Sequence, residues 1–127
     1  MKSLLLAIVL FAFVGFSGAA AAPQSHARVT GIYSNLQYNA EAGDLLGMEL
    51  LIIPATSGYV ACVQVAEGGA PFVAVVPISI SGTQVQFTLP PSYGGQHITG
   101  SFSGGKLVLH WPKGQREVLS RGKSYWQ

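Results

Sequence analysis

The sequence predicts an all-β protein: an eight-stranded antiparallel up-and-down meander that closes, or nearly closes, into a small β-barrel. Three observations carry that expectation. Apolar and polar residues alternate with a period of two through much of residues 28–121, as half-buried strands require. Gly-containing turn signals at Ser57-Gly58, Ser81-Gly82 and Gly104-Gly105 separate these runs, leaving no room for parallel crossovers. No convincing amphipathic helix interrupts them. A meander of this length has two open edges until it wraps round, and closure removes them.

A leader precedes the fold. Lys2 comes before an apolar run from Leu4 to Phe16, and Ala19 and Ala21 form an A-x-A cleavage site. This is the pattern of a secretory signal peptide over residues 1–21, followed by a single domain at 22–127. The run is shorter than the roughly 20 residues of a membrane span, so no stable membrane span is expected after cleavage. The expected location is therefore periplasmic or secreted. Cys62 is the only cysteine, which excludes an internal disulfide. Its expected role is that of a small buried or half-buried hydrophobe, with an intermolecular bridge as the alternative. Seven basic and five acidic residues give a formal charge of +2, with Lys2 in the leader. That balance gives no electrostatic case for nucleic acid or an anionic membrane.

The elements follow in order. Residues 22–27 read as a polar leader, 28–35 as the first strand and 36–44 as a polar connector with room for one helical turn. Residues 45–53 and 59–66 form a hairpin across Ser57-Gly58, with Ile52 opposite Val63 and Leu50 opposite Val65 on the core side. Residues 72–80 and 83–89 form another across Ser81-Gly82, with Ile78 facing Val85 and Val76 facing Phe87. Pro77 has no N–H to give a ladder, so that strand is an edge, carries a bulge or bends there. Residues 97–111 form a third hairpin across Gly104-Gly105, a pair that accepts positive φ at both positions. There Phe102 meets Leu107, Gly100 meets Leu109 and Ile98 meets Trp111. The last strand, 116–121, follows a turn with Lys113-Gly114 at its tip, which pairs Leu109 with Val118, Trp111 with Arg116 and His110 with Glu117.

Two resemblances attach to particular residues. The ending Arg121-Gly-Lys-Ser-Tyr-Trp-Gln127, with Gly31-Ile-Tyr-Ser-Asn35 and Ala42-Gly-Asp-Leu-Leu-Gly47, resembles a group of small exported bacterial proteins and brings no activity with it. Gly31-x-Tyr33 on the first strand resembles the G-x-W opening of lipocalin- and avidin-like barrels, where a basic residue on the last strand packs over the tryptophan. Here the aromatic is tyrosine, and the register above turns Arg121 away from the core; a three-residue turn at 112–114 would reverse that. Small periplasmic lysozyme inhibitors share the size and build, but Ser57-Gly58-Tyr59 lacks the spacer of their S-G-x-x-Y signature.

The topology gathers the tight turns at one end and the longer loops at the other, where recognition is expected. The candidate ligand-binding rim there is Tyr93, His97, Trp111 and Arg116, an aromatic and cationic set suited to an apolar or anionic ligand. Glu41 and Asp44 stand three apart on a loop at the same end, but Asp44 is more simply a strand-start residue. His97 and His110 find no third ligand in register, so no metal site is expected. Tyr125-Trp126 either plugs the tight-turn end or lies along the outside of the sheet. No nucleophile elbow or phosphate loop is present, so no catalytic residues and no cofactor are expected. The resulting expectation is a non-enzymatic barrel that binds a small apolar molecule or a cell-envelope component. The alternative is a protein–protein module, such as an envelope hydrolase inhibitor.

Overall fold

The structure, a computed structural model, describes residues 29–127; the expected signal peptide, the polar leader and Arg28 lie outside the described residues. Nine strands run through those described: β1 (Gly31–Ser34), β2 (Gln37–Asn39), β3 (Asp44–Ala55), β4 (Gly58–Glu67), β5 (Phe72–Ser81), β6 (Gln84–Thr88), β7 (His97–Ser103), β8 (Lys106–His110) and β9 (Arg116–Gly122). One 3-10 turn, Pro91–Tyr93, lies between β6 and β7. All pairings are antiparallel, and β1 pairs with both β9 and β3, which closes eight strands into a barrel. The extra strand, β2, pairs with β3 alone.

The expected connector over 36–44 is corrected: Gln37–Asn39 form a strand, and Asp44 already begins the next. β1 and β2 share one register against β3, Ser34 opposite Glu49 and Gln37 opposite Leu46. Asn35 explains the interruption between them. Its backbone N–H donates to the Met48 carbonyl at 3.0 Å, while its side-chain Oδ1 accepts from the Met48 N–H at 2.7 Å. A side-chain amide thus stands in for the backbone carbonyl, and the main-chain ladder breaks for two residues. Gly47 makes the approach possible, since a Cβ there would lie 2.6 Å from Asn35 Oδ1. Only residues 40–43 remain as a loop.

Three hairpins show how register depends on the turn. Across Gly104 and Gly105, at φ +56° and +77°, Phe102 meets Leu107 and Gly100 meets Leu109, as expected. At the β3–β4 turn the expected register is two residues off: Ile52 meets Ala61 and Leu50 meets Val63. The β5–β6 turn shows the same displacement, with Ile80 opposite Val85. A two-residue slip leaves every side chain on its expected face. The β8–β9 turn is different. Trp111 N–H donates to the Gln115 carbonyl at 2.9 Å, so the loop is the three residues 112–114. Leu107 then meets Leu119, and His110 meets Arg116. The expected pairs Trp111 with Arg116 and His110 with Glu117 are overturned, and the faces of β9 exchange.

Exchange of those faces brings Arg121 inward. Tyr33 pairs with Arg121 across β1 and β9, and the guanidinium lies over the tyrosine ring, 5.8 Å from its centroid. Arg121 Nη2 also donates to the Thr30 carbonyl. The Tyr33 hydroxyl donates to the Val29 carbonyl at 3.1 Å, and its ring tilts against Phe102, 5.4 Å away. This end, with the tight turns, is the more closed of the two: its cavity, lined by Tyr33, Phe102 and Arg121, is about 230 Å³.

Between the ends, side chains fill the interior. Leu50, Ile52, Ala61, Val63, Ile98, Leu107, Leu109 and Leu119 are fully buried, flanked by Met48, Val85, Phe87 and Leu89. Pro77 marks where the wall unzips. β5 pairs with β4 from Phe72 to Ile78, but with β6 only from Ser79 to Ser81. On its β6 side, the first part of β5 is thus an edge, one of the outcomes that Pro77 predicted.

Candidate functional site: the open mouth

The loops 40–43, 68–71, 89–96 and 111–115 surround the end opposite Arg121. A cavity of about 580 Å³ opens there, lined by Met48 of β3, Glu67 of β4, Tyr93 and Gln96 of the β6–β7 loop, and Trp111 and Glu117 flanking the last turn.

Tyr93 is set by its loop. Pro90 and Pro91 start a single 3-10 turn, and the Pro90 carbonyl accepts from the Tyr93 and Gly95 N–H groups at 2.8 and 3.1 Å. That turn lays the Tyr93 ring on Phe72, with centroids 4.4 Å apart and planes 21° from parallel. The stack bridges the stretch where β5 and β6 are unpaired. The Tyr93 hydroxyl is buried and has no hydrogen bond of acceptable geometry. Burial first, then the Glu67 carboxylate, a nearby but poorly aligned acceptor whose charge also opposes the phenolate, pushes its pKa up to about 12. It therefore stays protonated at neutral pH, a buried donor on a residue that lines the cavity.

Gln96 brings the complementary group. Its Oε1 is buried and likewise without a partner, with its amide folded against Gly94, where a Cβ would lie 2.8 Å from it. Among the described residues, these are the two buried side-chain polar atoms left unsatisfied. Both border the same cavity. Across from them Glu117 is held in place: Asn35 Nδ2 donates to its Oε2 at 2.6 Å. The amide that interrupts the β1–β2 ladder therefore also positions a carboxylate at the mouth.

The expected rim is only partly assembled. Tyr93 and Trp111 line the cavity, and Trp111 packs in part against the core. Arg116 borders the cavity but is exposed and stands opposite His110 in the outward row, so its expected pairing over Trp111 is corrected. His97 does not join them: it is exposed, and its Nδ1 lies 3.0 Å from Thr88 Oγ1. Glu67, Gln96, Gln115 and Glu117 were not expected at the rim and line the cavity. Glu117 was legible only through the turn length that sets its face, and Gln96 carries no sequence signal beyond being polar in a loop. Glu41 lies in an exposed turn whose N–H groups at 41 and 42 donate to Asn39 Oδ1.

The C-terminal segment settles on the outside of the barrel. Ser124 Oγ and the Tyr125 N–H both donate to the Glu49 carboxylate, and Trp126 Nε1 donates to Gln64 Oε1 at 2.8 Å. Glu49 faces outward from β3 yet is only 4 % exposed, because this tail covers it. Compared with family models, with curated proteins and with solved structures, the chain shows no match.

Proposed function

We propose that this is an exported, non-enzymatic β-barrel that binds a small polar component of the cell envelope, bearing hydroxyl or amide groups, at its open mouth. One observation carries the reading. A buried donor, Tyr93 Oη, which has only the poorly aligned Glu67 carboxylate near it, and an unsatisfied buried acceptor, Gln96 Oε1, belong to two residues that line one cavity. Leaving such groups unpaired costs about 1–3 kcal/mol each. A ligand group that both donates and accepts relieves both. Trp111 adds an aromatic surface beside them.

The filled interior weighs against an apolar cargo carried inside the barrel. The Arg121–Tyr33 stack is a point of likeness to lipocalin- and avidin-like barrels, and a shared fold device of that kind carries no ligand chemistry with it.

Native mass spectrometry of the protein purified from its own export compartment tests the reading. A retained, uncleaved small molecule is expected, absent from the Gln96→Leu variant. An empty wild-type protein that also binds no envelope fragments in solution overturns the proposal. A bound product of cleavage overturns its non-enzymatic part, for Glu67 and Glu117 would then be the first carboxylates to examine.

A further inference from the structure

Barrel closure depends on one short strand. β1 pairs with β9 over residues 32–34 and with β3 over residues 31–34, and at Asn35 a side-chain amide takes over from the backbone. A ladder this short opens before longer ones, because few bonds have to break together. On the inner side the seam is held by Arg121, whose guanidinium lies over Tyr33 and donates to the Thr30 carbonyl. On the outer side Ser120, Ser34, Glu49 and Gln64 are successive cross-strand partners, one outward row across β9, β1, β3 and β4. The tail leaves β9 at Gly122, opposite Ile32, and makes its contacts beyond β1, on Glu49 of β3 and Gln64 of β4.

We propose that residues 123–127 are a reversible clasp over this seam, whose docking sets the Glu117 carboxylate at the mouth. Docked, the clasp holds β1 between β9 and β3; released, it lets β1 fray. The docked state is well specified. Both Glu49 oxygens are engaged, Oε1 by Ser124 Oγ at 2.5 Å and Oε2 by the Tyr125 N–H at 2.8 Å, and hydrogen bonds to a charged acceptor are the stronger kind. Docking is reversible because little apolar surface is committed to it. Even when docked, Trp126 is 54 % and Tyr125 39 % exposed. Glu49, an outward carboxylate, exchanges the tail's donors for water on release.

The clasped row lies next to the anchor of the mouth. Ser34 stands opposite Glu49, and Asn35 follows it, bonded to both the N–H and the carbonyl of Met48. The same Asn35 amide holds the Glu117 carboxylate, at 2.6 Å. Fraying of β1 therefore takes away the partner of Glu117 while β3 to β8 stay folded. The clasp acts in this way whatever the mouth binds.

Amide hydrogen exchange and nitrogen–proton correlation NMR of the mature chain test this, comparing wild type with Glu49→Gln and with Ser124→Ala, the milder change should Glu49→Gln fold poorly. In Ser124→Ala the β1 amides are expected to exchange about tenfold faster, the size of losing one hydrogen bond to a charged group. The Leu107 and Leu109 amides of β8 are expected to keep their wild-type rates. The Asn35 side-chain amide signal is expected to move toward its position in Glu117→Ala, where that bond is absent. A wild-type Trp126 indole N–H signal at its free-peptide position overturns the clasp, as does equal β1 exchange in wild type and both variants. Acceleration of β1 and β8 together overturns it too, for the tail would then stabilise the whole barrel rather than the seam. Faster β1 exchange with the Asn35 signal unmoved overturns the link to the mouth.

Discussion

Two tyrosines mark the two ends of the barrel, and their surroundings are opposite. Tyr33 at the closed end donates its hydroxyl to the Val29 carbonyl and lies beneath the Arg121 guanidinium. Tyr93 at the mouth has a buried hydroxyl with no partner, and its charged neighbour is the carboxylate of Glu67. Burial raises the pKa of both phenols; Arg121 opposes that at Tyr33, while Glu67 adds to it at Tyr93. A satisfied polar group stabilises the fold that contains it. An unsatisfied one reduces stability, and the proposed binding at the mouth rests on that contrast.

Truncation should separate the ends most sharply. Tyr33→Ala removes a side chain that is 2 % exposed and is expected to cost about 4 kcal/mol. Tyr93→Ala, at a half-buried ring that stacks on Phe72 and packs against the margin of the core, is expected to cost less, about 1–2 kcal/mol. Urea unfolding followed by tryptophan fluorescence measures both. Equal costs would make the mouth a structural cap and remove the contrast.

Removing the hydroxyls alone gives a smaller and more specific effect. Tyr33→Phe loses a buried hydrogen bond and is expected to cost about 1 kcal/mol. Tyr93→Phe removes an unpaired buried group and is expected to be neutral or slightly stabilising. In native mass spectrometry the same Tyr93→Phe change should weaken retention of the ligand. A Tyr93→Phe variant that loses as much stability as Tyr33→Phe would mean that the Tyr93 hydroxyl has a structural partner after all.

The closed end and the mouth were also unequally legible in the sequence. Alternation sorted the side chains of β3 to β8 onto their observed faces, because a period-two pattern survives the two-residue slips at the β3–β4 and β5–β6 turns. It could not choose the face of β9. In Arg116-Glu-Val-Leu-Ser-Arg121 either Val118 or Leu119 can point inward, and one residue of turn length decides. The choice moves Arg121 onto Tyr33 and Glu117 into the mouth, and turns Arg116 outward. The other unexpected feature, β2, was hidden because residues 36–44 read as a polar connector, whereas the Asn35 amide substitutes for the strand backbone and pairing resumes at Gln37. Cys62, expected to be a small buried or half-buried hydrophobe, is half-buried.

The smallest effect distinguishes the two tyrosines by charge. The folded Tyr93 pKa, at about 12, stands above the usual value of 10.0 that the unfolded chain takes. The folded state therefore keeps this proton after the unfolded state has released it. The contribution to stability is fully present below about pH 10 and is lost as pH rises toward about 12. Wild type should lose more stability across that interval than Tyr93→Phe, which lacks the group. Glu67→Gln removes the anion but leaves the burial, the larger cause, so the phenol should titrate earlier than in wild type and still later than a free tyrosine. Ultraviolet absorbance of the phenolate, taken as a difference from Tyr93→Phe, follows the titration. At Tyr33 the same logic reverses sign: Arg121→Met removes the one charge that lowers its pKa, so Tyr33 should ionise still later. If Glu67→Gln and wild type titrate together, Glu67 does not face Tyr93, and the asymmetry between the ends rests on hydrogen bonding alone.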